Sequence, residues 1–153
     1  MDKRTELMDA MKTSMKAGDS MTTNTIRLII AKMKEADIEF RGSGKGEKVS
    51  DDALLSMMQG MIKQRQESSK IYKDNGRPEL AATEDAEIAA IMKFLPQQMD
   101  DAGIEQTVVK LLTDLNVTEA KDMGKVMAAL KTNYAGQLDM GKASALVKKK
   151  LVG

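Results

Sequence analysis

The sequence predicts an all-α chain of four helices followed by three. Three observations carry that prediction. Apolar residues recur three and four positions apart, and no stretch alternates apolar and polar with the period of a strand. Hydrophobic residues make up 42% of the chain and aromatics only 3% of it, so a core must be built from Ile, Leu, Val, Ala and Met. Only two prolines stand in 153 residues, and each falls at an expected helix boundary.

Taken in order, residues 2–17 place Leu7, Met8, Met11 and Met15 at helical spacing, and Gly18 is expected to end the run in a left-handed conformation. A second helix is expected to open at Thr22 or Thr23 and run through Ile26, Ile29, Ile30, Met33 and Asp37 to Phe40. "RGSGKGEK", 41–48, reads as a flexible glycine-rich loop without the phosphate-loop pattern, and is assigned no nucleotide role. Ser50 is the expected N-cap of a third helix, with Asp51 and Asp52 at the positive end of its dipole and Leu54, Leu55, Met58, Met61, Ile62 and Tyr72 inward. "DNG", 74–76, ends it, and Pro78 fits the first turn of a fourth helix carrying Ile88, Ile91, Met92 and Leu95. Pro96 ends that helix and marks a hinge near 94–100, dividing the chain into domains 1–95 and 96–153. A helix over roughly 102–115 then carries Val108, Val109, Leu111, Leu112 and Leu115. Two more are expected to start at the repeated word "DMGK", 122–125 and 139–142.

Cysteine and histidine are both absent. This removes disulfides, thiolate nucleophiles, the commonest general base and the commonest metal ligand. The start "MDKRTELMDAMK" holds no apolar run of signal-peptide length and no stretch approaches a membrane span, so a soluble, cytoplasmic protein without membrane, metal or cofactor is expected. The net charge of +1 hides asymmetry: residues 1–77 carry +3, residues 78–120 carry −7 and residues 121–153 carry +5. A basic tail points to a polyanionic partner; equally, the acidic and basic segments could attract each other.

Asp at a helix start caps free N–H groups, Gly admits close approach of another backbone, and Lys in the first turn can meet an anion. Asp122 and Asp139 are therefore expected caps. Gly124, Lys125, Gly141 and Lys142 are candidate contacts to RNA phosphate. Plain helix starts explain the same words. The terminal "VKKKL" adds Lys148, Lys149 and Lys150, which with Lys121, Lys125, Lys131 and Lys142 could form one basic face, or simply favour the helix C-terminal dipole. Tyr134 is the only nearby aromatic, so any RNA would be held by shape and phosphate, without base stacking.

"DMGKVMAALKTNYAGQLDMGKASALVKKKL", 122–151, resembles the tail module shared by GatB, a subunit of glutamine-dependent tRNA amidotransferase, and the freestanding YqeY-like proteins. "IRLIIAKMKEADIE" (26–39), "KQRQES" (63–68) and "KFLPQQM" (93–99) resemble the first half and hinge of the freestanding proteins, so the resemblance covers nearly the whole chain. It implies an all-helical, two-part fold with a GatB-tail-like second part that contacts tRNA. It also implies association with an amidotransferase or aminoacyl-tRNA synthetase complex, and the family-level description of a carbon–nitrogen ligase with glutamine as amido-N-donor. Gly124, Lys125, Gly136 and Asp139 match the tail pattern. Ala128, Asn133, Ala135 and Gln137 stand where the family has further small or basic residues, and Asp139-Met140 stands where Asp-Gly is common.

The residues themselves carry no catalytic signature: no Cys nucleophile, no Ser-Lys amidase pattern and no phosphate loop. The acidic pairs Asp51/Asp52, Glu84/Asp85 and Asp100/Asp101 are read as helix-start carboxylates or solvated charge. The expected function is a tRNA-contacting accessory module, not catalytic alone. A methionine-rich helical adaptor for another protein, with no RNA role, is the alternative.

Overall fold

The computed structural model describes residues 2–152. Among these residues seven α-helices run α1 (Lys3–Lys16), α2 (Ser20–Gly42), α3 (Asp51–Asp74), α4 (Pro78–Met92), α5 (Asp101–Asp114), α6 (Met123–Asn133) and α7 (Met140–Val152). A 3-10 turn, Ala120–Asp122, leads into α6, and no strand occurs among the described residues. The chain divides into two compact units, Met1–Leu95 and Pro96–Gly153.

In the first unit α3 lies against α4, α1 against α2, and α2 bridges to α3 and α4. Leu7, Ile26, Ile29, Leu54, Met58 and Ile91 are fully buried at the centre. Each such side chain contributes about 1.5–3 kcal/mol by leaving water. Phe94, which the spacing leaves unassigned, is buried as well, whereas Met92 is exposed. Met92 is placed inward by sequence spacing, but α4 ends at that residue and the chain turns there, with Phe94 N–H bonded to Ile91 C=O.

α2 opens earlier than expected, at Ser20, because Asp19 is its cap. The Asp19 carboxylate accepts from Thr22 N–H at 3.1 Å and Thr22 Oγ1 at 2.7 Å. These bonds, the hydroxyl's first, hold the Asp19 carboxyl below its ordinary range. Thr23 and Thr25 turn their hydroxyls back to the carbonyls of Asp19 and Met21, which lets both be buried. α1 ends as the glycine requires: Gly18 has φ 70°, and Asp19 N–H reaches Ser14 C=O.

The loop after α2 is not the free segment its glycines suggest. The helix extends through Gly42, and the following chain is fastened at both ends. A Cβ on Gly46, whose φ is 148°, would meet the Phe40 ring at 2.9 Å. At the far end Val49 N–H donates to Asp37 Oδ1 at 3.0 Å, and Arg4 donates to Val49 C=O at 3.1 Å. Arg4 also grips Asp37 with both guanidinium arms at 2.7 Å. Asp37, on the inward face of α2, is buried through this clamp.

"KQRQES" finds a structural role in part. Arg65 Nε donates to Glu87 at 2.8 Å and its Nη1 to Met61 C=O at 3.1 Å, tying α3 to α4. One turn on, buried Ser69 donates to Asp85 at 2.7 Å. Glu84 and Asp85 therefore stand in the middle of α4, which corrects their reading as helix-start carboxylates.

In the second unit α7 packs on α5 and α6. Its core is Ile104, Val108 and Leu111 from α5, Val126 and Leu130 from α6, and Ala143 and Val147 from α7, closed by Val117 and Leu138 from the connections. Val109 and Leu115, expected inward, are exposed, because the stripe that meets α6 and α7 runs 104, 108, 111.

Candidate functional site

The two DMGK words adopt different local structures. At the second, Asp139 Oδ1 accepts from Gly141 N–H at 2.8 Å and Lys142 N–H at 3.1 Å, closing the start of α7. A Cβ on Gly141 would lie 3.1 Å from that same oxygen, so the glycine keeps the carboxylate seated. The Lys142 ammonium is also engaged, with Asp101 of α5 at 3.1 Å. Both the N–H groups and the cation that a phosphate would need are already occupied by carboxylates.

The first word is open. Asp122 makes no side-chain capping bond to α6, which corrects its assignment as a cap. The reason is local. Asp122 ends the 3-10 turn with φ −95° and ψ 6°, outside the extended conformation from which a carboxylate reaches back to N2 or N3. It faces Lys125 instead, at 3.8 Å. Gly124 is exposed, and a Cβ there would meet nothing within 4 Å, so no neighbouring backbone approaches it. The expected helix-to-helix contact at this glycine is absent.

Gly136 belongs to the turn after α6. It has φ 73°, is buried, and its carbonyl accepts from the Gln98 amide at 2.5 Å. Its glycine is required by the left-handed turn, and its backbone is not open to a ligand.

The acidic and basic segments attract each other within this unit, as the charge pattern allowed. Lys142 meets Asp101, and Lys150 meets Glu105 at 3.4 Å. Lys121 pairs with Glu119 at 3.0 Å. Lys131, Lys148 and Lys149 are exposed and carry no ion pair among the described residues. Among the described residues the free charge of the tail is thus reduced to these three and Lys125, whose ion pair with Asp122 is the long one given above.

Asp51 accepts from Lys3 N–H at 3.2 Å, and Asp100 caps α5 through Gly103 N–H at 2.7 Å. Among the described residues no group of acidic side chains could hold a metal ion, and no helix is long and apolar enough to cross a membrane. Sequence spacing misses one further surface, a cleft of about 340 Å³ between α1 and α2. The methionines of α1 were its only signal.

The chain matches the pattern of the family described as "Yqey-like protein" over residues 4–151. It is 29% identical to "Altered inheritance of mitochondria protein 41, mitochondrial" of Lachancea thermotolerans over 117 residues, 75% of this chain and 60% of that protein. The protein of the same name from Meyerozyma guilliermondii is 33% identical over 101 residues, 66% of this chain and 50% of its own length. That of Saccharomyces cerevisiae strain YJM789 is 31% identical over 107 residues, 69% and 56%. The match therefore spans only half to three fifths of these relatives. Their names also correct the cytoplasmic expectation, since each is called mitochondrial. Missing cysteines fit any reducing interior and do not select the cytoplasm.

Proposed function

Starting from a chain that belongs to the YqeY-like family, we propose that it is an accessory module that contacts tRNA through its second unit and does no chemistry alone. The first part is then the YqeY-like helical domain and the second the GatB-tail-like three-helix domain. The observation that carries the reading is the open start of α6. Gly124 leaves the backbone accessible, no side chain caps the helix, and Lys125 stands in the first turn. An RNA phosphate placed there gains the positive end of the dipole, an ammonium and those N–H groups that the 3-10 turn does not use, the Met123 N–H being bonded to Ala120 C=O. Lys131, Lys148 and Lys149 supply further exposed charge. The carbon–nitrogen ligase description, with glutamine as the amido-N-donor, belongs on this reading to the amidotransferase or synthetase complex the module serves.

The two words make the test specific. Lys125→Ala weakens tRNA binding several-fold and reduces the salt dependence by roughly one unit of slope. Lys142→Ala leaves both nearly unchanged, because its charge is already used by Asp101. Fluorescence anisotropy with labelled tRNA across a salt series measures both. Equal loss from the two variants, or none from Lys125→Ala, defeats the reading.

A further inference from the structure

The cleft between α1 and α2 is lined by six side chains that matter. Ile30 and Met33 are nearly buried and form its floor, while Met8 and Met11 form the opposite wall. Arg27 and Lys34 stand at its edge, exposed and without an ion pair among the described residues. They are seven residues apart on α2, hence on one helical face and roughly 10 Å apart along it. Two free cations two turns apart over an apolar floor form a defined pattern. The surface that fits it is a helix with an apolar stripe and carboxylates beside that stripe.

We propose that this cleft docks an amphipathic acidic helix of a partner protein. Its apolar stripe seats on Met8, Met11, Ile30 and Met33, and its carboxylates meet Arg27 and Lys34. Methionine suits the role because its unbranched, polarizable side chain repacks against differing apolar shapes. RNA is the poorer occupant. The cleft offers no aromatic ring for a base, and a phosphate would lose water against Ile30 and Met33 without compensation. A second copy presenting the same face would set Arg27 and Lys34 against their own equivalents, like charge on like charge. The proposal concerns the first unit only and does not depend on tRNA contact by the second.

The test uses the full chain with 13C-labelled methionine methyl groups and two synthetic helical peptides. Both carry the same leucine stripe, one flanked by Glu and one by Lys. The Glu peptide is expected to bind about tenfold tighter or more, given the weight of charge complementarity at such rims. It should shift the methyl signals of Met8, Met11 and Met33. The double variant Arg27→Glu/Lys34→Glu should reverse the preference and keep its melting temperature, since both side chains are exposed. Equal affinity for the two peptides, no saturable binding, or shifts confined to other methionines overturns the proposal. So does the same set of shifts on adding single-stranded RNA, or on raising protein concentration without peptide, which would assign the cleft to RNA or to a second copy.

Discussion

Asp122 and Asp139 show how far one backbone angle changes what a residue does. Both precede Met-Gly-Lys, yet only Asp139 bonds to the N–H groups of its helix. Asp139→Ala is therefore expected to cost about 1 kcal/mol, the usual effect of losing a cap. Asp122→Ala should stay within about 0.5 kcal/mol, because its side chain makes no capping bond and only the long contact to Lys125. Thermal denaturation of the two variants checks the contrast. Asp37 makes a second residue-scale prediction. The Arg4 guanidinium holds its carboxyl down from 3.8 to about 2, against the opposing effect of burial and with help from Val49 N–H. The folded value lies below the unfolded one, so the stabilisation is complete above the unfolded value and is lost as pH falls through the folded one. The pair contributes roughly 2 kcal/mol on this account, disappearing mostly between about pH 4 and pH 2. Asp37→Asn should remove this part of the acid dependence and lower stability at neutral pH by a similar amount or more. Urea denaturation at a series of pH values measures both.

Elements are joined here by few, well-placed polar contacts over an aliphatic core. α3 and α4 meet through Arg65–Glu87 and Ser69–Asp85, one turn apart. The first pair is mostly shielded from solvent, with side-chain exposures of 14% and 23%. Glu87→Ala removes its acceptor and leaves Arg65 without its partner in that setting. A loss of about 2 kcal/mol is expected, in the range for hydrogen bonds to charged groups. Lys73–Asp85, at 3.3 Å between half-exposed groups, should contribute far less when Lys73 is replaced by Ala. Comparing the two variants by chemical denaturation separates a fastening contact from a surface pair. Periodicity finds the inward stripes of α2 and α3 because long helices repeat the pattern several times, whereas in the shorter α1 only Leu7 of the expected set is buried and Met8 and Met15 are exposed. It misplaces Met92 and Leu115 at helix ends, where the chain turns away, and Val109 in the body of α5, beside the packed stripe 104, 108, 111.

At the scale of the whole molecule, near-neutral charge is distributed so that the acidic 78–120 segment partly neutralises the basic tail. Within the basic tail, 121–153, the lysines left without a close carboxylate among the described residues are Lys125, Lys131, Lys148 and Lys149. If all four engage, the logarithm of tRNA affinity should fall with the logarithm of salt at a slope of about −3 to −4. A much steeper slope would mean that the paired lysines open their carboxylate contacts on binding. The purified chain is also expected to leave glutamate-loaded tRNA unconverted in the presence of ATP and glutamine. Amide formation by a preparation free of host amidotransferase would make it an enzyme in its own right.

The sequence by itself determined the helical class, most helix boundaries and the family. The class and boundaries follow from local quantities: apolar spacing, caps, and the placement of Gly and Pro; the family rests on the resemblance of 122–151 and the other quoted stretches. It also showed both DMGK words, but as identical. Only tertiary structure decided that they differ, because the 3-10 turn before Asp122 and the partner Asp101 beside Lys142 depend on how α5, α6 and α7 pack. The same holds for Arg4 and Asp37, 33 positions apart, and for the cleft between α1 and α2. Spacing along one helix says which residues share a face. It does not say which other chain segment meets that face, and that meeting sets which charges are used and which remain free.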